Sequence, residues 1–252
     1  MRVLILGGTA EARELAERCA GLAGVRAVTS LAGRVTAPRR PAGDLRVGGF
    51  GGVDGLAGYL NGAGIDAVVD ASHPFAAAIT RAAVEASRLC GVPLLVLNRD
   101  GWVPGPGDLW HRVASLTEAA AVVGRLGRRA FLATGRGSVA AFAGVDECWF
   151  LIRSVEAPEP PLPRHAQVVL DRGPFTHEGE VALLAGHRID VLVTKDSGGE
   201  LAAAKLGAAR ELGIPVVIVD RPALPAGVRR VAAVSSAVAW LCDLAGAAGR
   251  CP

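Results

Sequence analysis

The chain alternates short aliphatic runs with longer segments of mixed polarity. Val3-Leu4-Ile5-Leu6 comes first, followed by Val25–Ser30, Leu45-Arg46-Val47, Asp66–Asp70 and Pro93–Asn98. These runs are too short for helices and mostly lack polar alternation, so they read as strands buried on both faces. Between them, Ala10–Leu22, Gly55–Gly64 and a stretch from Pro74 through Cys90 are rich in helix formers, the second weakened by its glycines. Pro74 suits a first helical position, which puts Ser72 or His73 at the cap. Strand and helix alternating at this spacing specify a parallel, doubly wound sheet.

Periodicity is lost over residues 99–112, which are rich in Gly and Pro and include Trp102 and Trp110. The same grammar then resumes. Ser115–Leu126 opens with a capping-box pattern at Ser115 and Glu118. Strands follow at Ala130–Ala133, Trp149–Ser154, Val168–Leu170, Ile189–Val193 and Pro215–Val219, and Ser235–Leu244 forms the last helix. The expected architecture is α/β: two Rossmann-like domains with parallel sheets, helices on both faces and a cleft between them. Their bounds are 1–98, a linker over 99–112, and 113–252, with the last helix free to pack back on the first domain. The two tryptophans are expected in that cleft or against a flat apolar ligand.

The candidate chemistry sits in the turns after the strands. Gly7-Gly8-Thr9 breaks the first strand and opens a helix carrying Glu11 in its first turn. Such a turn aims unpaired N–H groups and a positive dipole end at its guest, so the favoured guest is an anion, most often a nucleotide pyrophosphate. The match to G-x-G-x-x-G/A is partial, because Thr9 stands at the second glycine and Ala12 at the third. Thr9 is expected to cap the helix and offer its hydroxyl to phosphate.

Positions 27–33 contain no acid to hold a ribose 2′-OH, whereas Ser30 and Arg34 suit a 2′-phosphate, which favours NADPH over NADH. The glycine turn at residues 48–52, Gly49 included, brings backbone near a ligand, and Ser72, His73 and Pro74 fall near its nicotinamide end. In the second half Thr134-Gly135-Arg136, Arg172 and Lys195-Asp196-Ser197-Gly198-Gly199 form three further polar or basic turns. Only two of the 27 cations are lysines, Lys195 and Lys205, and both lie in one strand–turn–helix unit. Lysine among arginines marks a place that needs a compact charge or a transferable proton.

Composition narrows the function. The net charge of +3 is spread over both halves without a basic tail, and aromatics make up 4 %, which argues against nucleic acid. Five scattered cysteines and five histidines show no ligand spacing, so neither a disulfide framework nor a metal site is expected. No apolar stretch is long enough to span a membrane and no signal segment opens the chain, which predicts a cytoplasmic protein. Its oligomeric state, monomer or homodimer, is left open.

Taken together, Leu6-Gly7-Gly8-Thr9-x-Glu11, Ser30–Arg34, Asp70–Ala76, Thr134-Gly135-Arg136, Arg172–Phe175 and Lys195–Gly199 with Lys205 make the chain resemble the precorrin-6A reductases and their cobalt-precorrin-6A relatives. The resemblance implies hydride transfer from NADPH to one double bond of a tetrapyrrole, precorrin-6A, and then protonation. It also implies a dinucleotide-holding first domain and a second domain closing over the macrocycle, whose carboxylates the basic turns would bind. Lys195, with His73 behind it, is the candidate proton donor. An NADH-dependent cobalt-precorrin-6A reductase of the anaerobic route, a non-redox lyase resembling uroporphyrinogen synthase and a two-lobed nucleotide sensor are the rival readings.

Overall fold

The computed structural model describes residues 1–33 and 40–247. In chain order they form β1 (Arg2–Leu6), α1 (Ala10–Ala20), β2 (Arg26–Leu31), β3 (Asp44–Val47), α2 (Val53–Gly62), β4 (Ala67–Asp70), α3 (Ala77–Cys90) and β5 (Leu94–Leu97). Then follow β6 (Trp110–Val113), α4 (Leu116–Leu126), β7 (Arg129–Ala133), β8 (Trp149–Ser154), β9 (Ala166–Leu170), α5 (His177–Gly186) and β10 (Val191–Lys195). The last elements are α6 (Ala204–Glu211), β11 (Val216–Val219), β12 (Arg230–Val231) and α7 (Val234–Ala247). Contacts divide the chain into two units, residues 1–100 with the chain from Pro222 onward, and Gly101–Arg221.

The first unit is one parallel sheet in the order β12-β5-β4-β1-β2-β3. Alternate residues of its central strands serve opposite faces, as the pleat requires. Val3, Ile5, Ala67 and Val69 pack with Leu15 of α1 and Ala237, Trp240 and Leu241 of α7. Leu4, Leu6 and Val68 pack with Leu56 and Leu60 of α2 and Ala83 and Ala86 of α3. Helices therefore cover both faces, and uniformly apolar strands are the consequence.

The second unit is also wholly parallel, in the order β6-β11-β10-β7-β8-β9. One face of its core joins Phe131, Leu151, Leu192 and Ile218 to Leu184 of α5 and Leu206 of α6. The α/β class and the doubly wound sheets are as expected from the alternation of runs.

Three features depart from the sequence reading. Trp110–Val113, expected in the linker, is an edge strand paired with β11, and Asp220 after β11 accepts from Arg112 Nε at 2.7 Å. An edge strand need bury only part of itself, so its polar His111 and Arg112 give no strand signal. Residues 222–247 return to the first unit: α7 covers the sheet, as was left open for the last helix, and β12, a strand no apolar run announces, pairs β5. The third helix starts at Ala77, because His73 and Ala76 close a turn (Ala76 N–H to His73 O, 2.7 Å) that holds Pro74 and Phe75 outside it. Neither Ser72 nor His73 is its cap. Trp102 and Trp110 both pack against the core of the second unit.

Candidate functional site

In the first sheet β1 leads outward through β2 to β3 while β4 leads the other way, so the strand order reverses between β1 and β4. Ligands of open α/β sheets bind beyond the carboxyl ends of the strands at such a point. Gly7 and Gly8 lie there. A Cβ on Gly7 would stand 2.8 Å from Thr29 Cγ2, and Gly7 N–H donates to Ser30 O at 2.9 Å, so the turn lies flat against β2. Gly8 has φ +118°, a conformation that a side chain strains. Thr9 caps α1: its Oγ1 accepts from Ala12 N–H at 3.1 Å and donates to Ala71 O at 2.8 Å, tying the β1 turn to the β4 turn. The hydroxyl proton is thereby committed to protein, and the first turn of α1 keeps backbone amides without intrahelical partners. Glu11 forms an ion pair with Arg99, beyond β5, at 2.7 Å.

Buried Asp70 shapes the β4 turn, accepting from Ser72 N–H at 3.0 Å and from Thr80 Oγ1 at 2.6 Å. His73 Nδ1 accepts from Phe75 N–H at 3.2 Å, which leaves the neutral ring's proton on Nε2. Ser30, buried at the end of β2, lies in register with Arg46 of β3, whose Nη1 approaches Ser30 Oγ at 3.3 Å. Gly48 O and Gly49 O accept from the same guanidinium at 2.5 and 2.8 Å. Arg34 lies outside the described residues. Arg46 has no standing in the sequence pattern, since a lone arginine in a short edge strand looks like a solvated charge.

In the second sheet the order reverses between β7 and β10, and two of the three singled-out turns, after β7 and after β10, meet that point. Thr134 closes β7, and its buried Oγ1 has no hydrogen-bond partner among the described residues. Gly135, at φ +79°, then starts a 3-10 helix, Arg136–Phe142. Arg136 pairs with Glu156 at 2.6 Å, so its charge is shared with an acid that no sequence pattern singled out. Lys195 ends β10. The buried Asp196 carboxylate is taken up by Trp102 N–H at 3.0 Å and Arg112 Nη2 at 2.9 Å, and the Asp196 carbonyl accepts from Arg221 Nε at 2.7 Å. Asp196 therefore positions the turn and does not offer an open carboxylate. Ser197 Oγ donates to Lys195 O at 3.3 Å, while Gly198 and Gly199 take φ of +64° and +75°. Gly199 O accepts from Trp102 Nε1 at 3.0 Å. Arg172, after β9, is exposed.

Lys205 is buried in α6, with its Nζ donating to Ala202 O and lying 4.8 Å from the centre of the Trp102 ring. Burial, and then the like charge of Arg153, push its ammonium down to about 8, with Glu180 opposing. Arg153 of β8 makes a bidentate pair with Glu180 of α5 and lies over the Phe175 ring at 3.6 Å. Neither member was visible from spacing, because they are 27 residues apart. Among the described residues no group of three His, Cys, Asp or Glu side chains is arranged to hold a metal ion, and no helix is long and apolar enough to cross a membrane.

Two parallel sheets, each with glycine turns where its strand order reverses, define a doubly wound protein of the Rossmann type. The family model described as "Precorrin-6x reductase CbiJ/CobK" matches residues 2–242. The chain is 53 % identical over 240 residues to a precorrin-6A reductase of Rhodococcus erythropolis, covering 95 % of this chain and 97 % of that one. It is 52 % identical over 245 residues to the precorrin-6A reductase of Mycobacterium tuberculosis (strain ATCC 25618 / H37Rv), covering 96 % and 98 %. A solved structure titled "CobK precorrin-6A reductase" superposes with a TM-score of 0.91 at 42 % identity, covering 97 % of each chain. The chain belongs to the precorrin-6x reductase family of cobalamin biosynthesis.

Proposed function

We propose that this chain reduces one double bond of the precorrin-6A macrocycle with NADPH, giving the dihydro product precorrin-6B. The observation that carries the dinucleotide assignment is the reversal of strand order between β1 and β4. Gly7 and Gly8 lie on one side of it and Ser72 and His73 on the other, and Thr9 Oγ1 locks the two turns together. The residues fit the group: a side chain on Gly8 would be strained, and the first turn of α1 presents amides without intrahelical partners. Glu11, held by Arg99, and Gly49, held by Arg46, fix the borders of this site. His73 Nε2–H is a hydrogen-bond donor near the nicotinamide end, and Ser72 and Pro74 set its position.

When bound, NADPH supplies the hydride, and its nicotinamide is left oxidised. The protein's share is to hold the macrocycle and deliver a proton to the reduced product. In the second unit Thr134, Gly135, Arg136, Arg172, Ser197, Gly198 and Gly199 form the basic and amide-rich turns that take the substrate's carboxylates, with Asp196 positioning them and Lys205 adding its charge from α6. Lys195 Nζ is the proposed proton donor at the end of β10, and His73 the second candidate. Both relatives and the solved structure carry the cobalt-free name, which favours the metal-free macrocycle.

Titration of the protein with NADPH and with NADH, read by nicotinamide fluorescence, tests the first half of the proposal. NADPH is expected to bind more tightly; preference for NADH overturns the cofactor assignment. Addition of precorrin-6A to the NADPH complex is expected to bleach the nicotinamide absorbance. A complex that binds both without oxidation is a sensor, and tetrapyrrole turnover without nucleotide is the lyase. Lys195→Met is expected to lower kcat at least about 100-fold with NADPH affinity within threefold, the range ascribed to a lost general acid. Wild-type kcat in that variant removes Lys195 from the role.

A further inference from the structure

Nine arginines among the described residues, Arg18, Arg88, Arg99, Arg112, Arg136, Arg153, Arg210, Arg221 and Arg230, form ion pairs with carboxylates. Arg46 is held differently. Its bonds run to the neutral oxygens of Gly48 (2.5 Å), Gly49 (2.8 Å) and Ser30 (3.3 Å). Its guanidinium lies 3.8 Å from the centre of the Phe50 ring and 5.2 Å from that of Tyr59. No carboxylate among the described residues pairs with it, so its positive charge is fixed in place and left unneutralised.

The support beneath it is firm. A Cβ on Gly55 would come within 1.7 Å of Phe50 O, so the first turn of α2 and the Phe50 backbone are in direct contact and the shelf cannot slide. A guanidinium has five N–H groups. Three are used, two from Nη1 and one from Nη2. Nε–H and the second Nη2–H find no partner among the described residues, and a fork of Nε and Nη is what binds phosphate bidentately.

Leu6 pairs with Ser30 and Ser30 with Arg46, so the guanidinium lies two strands from the glycine turn at the same carboxyl edge. In this strand order a dinucleotide with its pyrophosphate on the first turn puts its adenosine ribose at the end of β2.

We infer that Arg46 selects the phosphorylated dinucleotide, its outer N–H groups gripping the ribose 2′-phosphate beside Ser30 Oγ. The inference rests on the proposed reading that the first unit holds a nicotinamide dinucleotide. It places a discriminating cation on β3.

The test is the ratio of NADPH to NADH affinity in the wild type, Arg46→Met and Arg46→Lys, with 2′,5′-ADP and 5′-AMP as competitors. Loss of a charged bidentate contact is expected to weaken NADPH and 2′,5′-ADP roughly 10- to 100-fold in the methionine variant. NADH and 5′-AMP should stay within threefold, and lysine should recover part of the loss. An equal fall for both carriers overturns the inference, since it means that Arg46 only holds the turn over residues 48–50. An unchanged ratio overturns it too, and leaves the dinucleotide reading standing if the wild type still prefers NADPH. Wild type that binds neither carrier removes both. Should the methionine variant fail to fold, Arg46→Gln, which keeps an amide for the two carbonyls, is read by the same ratio.

Discussion

Lys205 shows what a single residue in this chain costs and what that cost reports. Its pKa in the folded protein, about 8, lies below the ordinary 10.5, so folding disfavours its protonated form. The penalty is fully present below pH 8 and fades as pH rises toward 10.5. Lys205→Met is therefore expected to be more stable than wild type at pH 7, by up to about 3 kcal/mol, with the gap closing above pH 8. Urea titrations of both proteins at several pH values measure this, and a gap that does not change with pH shows that protonation is not its cause. The Cys19 thiol, pushed up to about 11 by burial and by Cys242, titrates in both proteins and cancels in the difference. Thr9 gives a second residue-scale outcome. Thr9→Val loses the cap and the tie to Ala71 O, which should cost about 1–2 kcal/mol, and Thr9→Ser should restore it. Thr9, Gly7 and Gly8 were legible because cap and turn chemistry are local. Arg46 was not, because its significance comes from strands β2 and β3 lying side by side.

Helix α5 illustrates the element scale. Thr176 caps it, its Oγ1 accepting from Gly179 N–H at 3.1 Å, but its buried face carries Glu180, and an acid at a core position erases the apolar periodicity that announces a helix. Arg153 of β8, across the packed interface, makes that acid tolerable. Glu180→Ala leaves a buried guanidinium unpaired and should destabilise the protein by about 3–5 kcal/mol. Replacing the pair together, Arg153→Met with Glu180→Leu, should recover most of that loss in thermal or urea unfolding. If the double variant is no better than the single one, the pair is held by more than mutual compensation. The same non-local logic hid Glu156 behind Arg136, and Arg112 and Trp102 behind Asp196.

At the scale of the whole molecule the chain leaves its first unit after Asp100 and comes back at Pro222. A chain ending at residue 98 would lack β12 and α7, leaving Leu15, Val69 and Leu95 without the cover that Ala237, Trp240 and Leu241 provide. Such a fragment is expected to be insoluble or molten. Residues 1–100 joined by a short flexible linker to 222–247 should unfold cooperatively and retain dinucleotide binding. Circular dichroism and nicotinamide fluorescence decide between them, and a cooperative fold for the shorter fragment contradicts this account.

The sequence by itself determined the buried parallel strands, most of the helices between them, the glycine turns at their carboxyl ends and, through those turns, the family. Each is written in contiguous residues, since strand burial, capping and turn conformation depend on near neighbours. Tertiary structure alone decided which strands form the edges, that the end of the chain completes the first sheet, and which charges are spent on one another. Pairing across a sheet or between a strand and a helix joins residues far apart in sequence, and no local pattern encodes the partner.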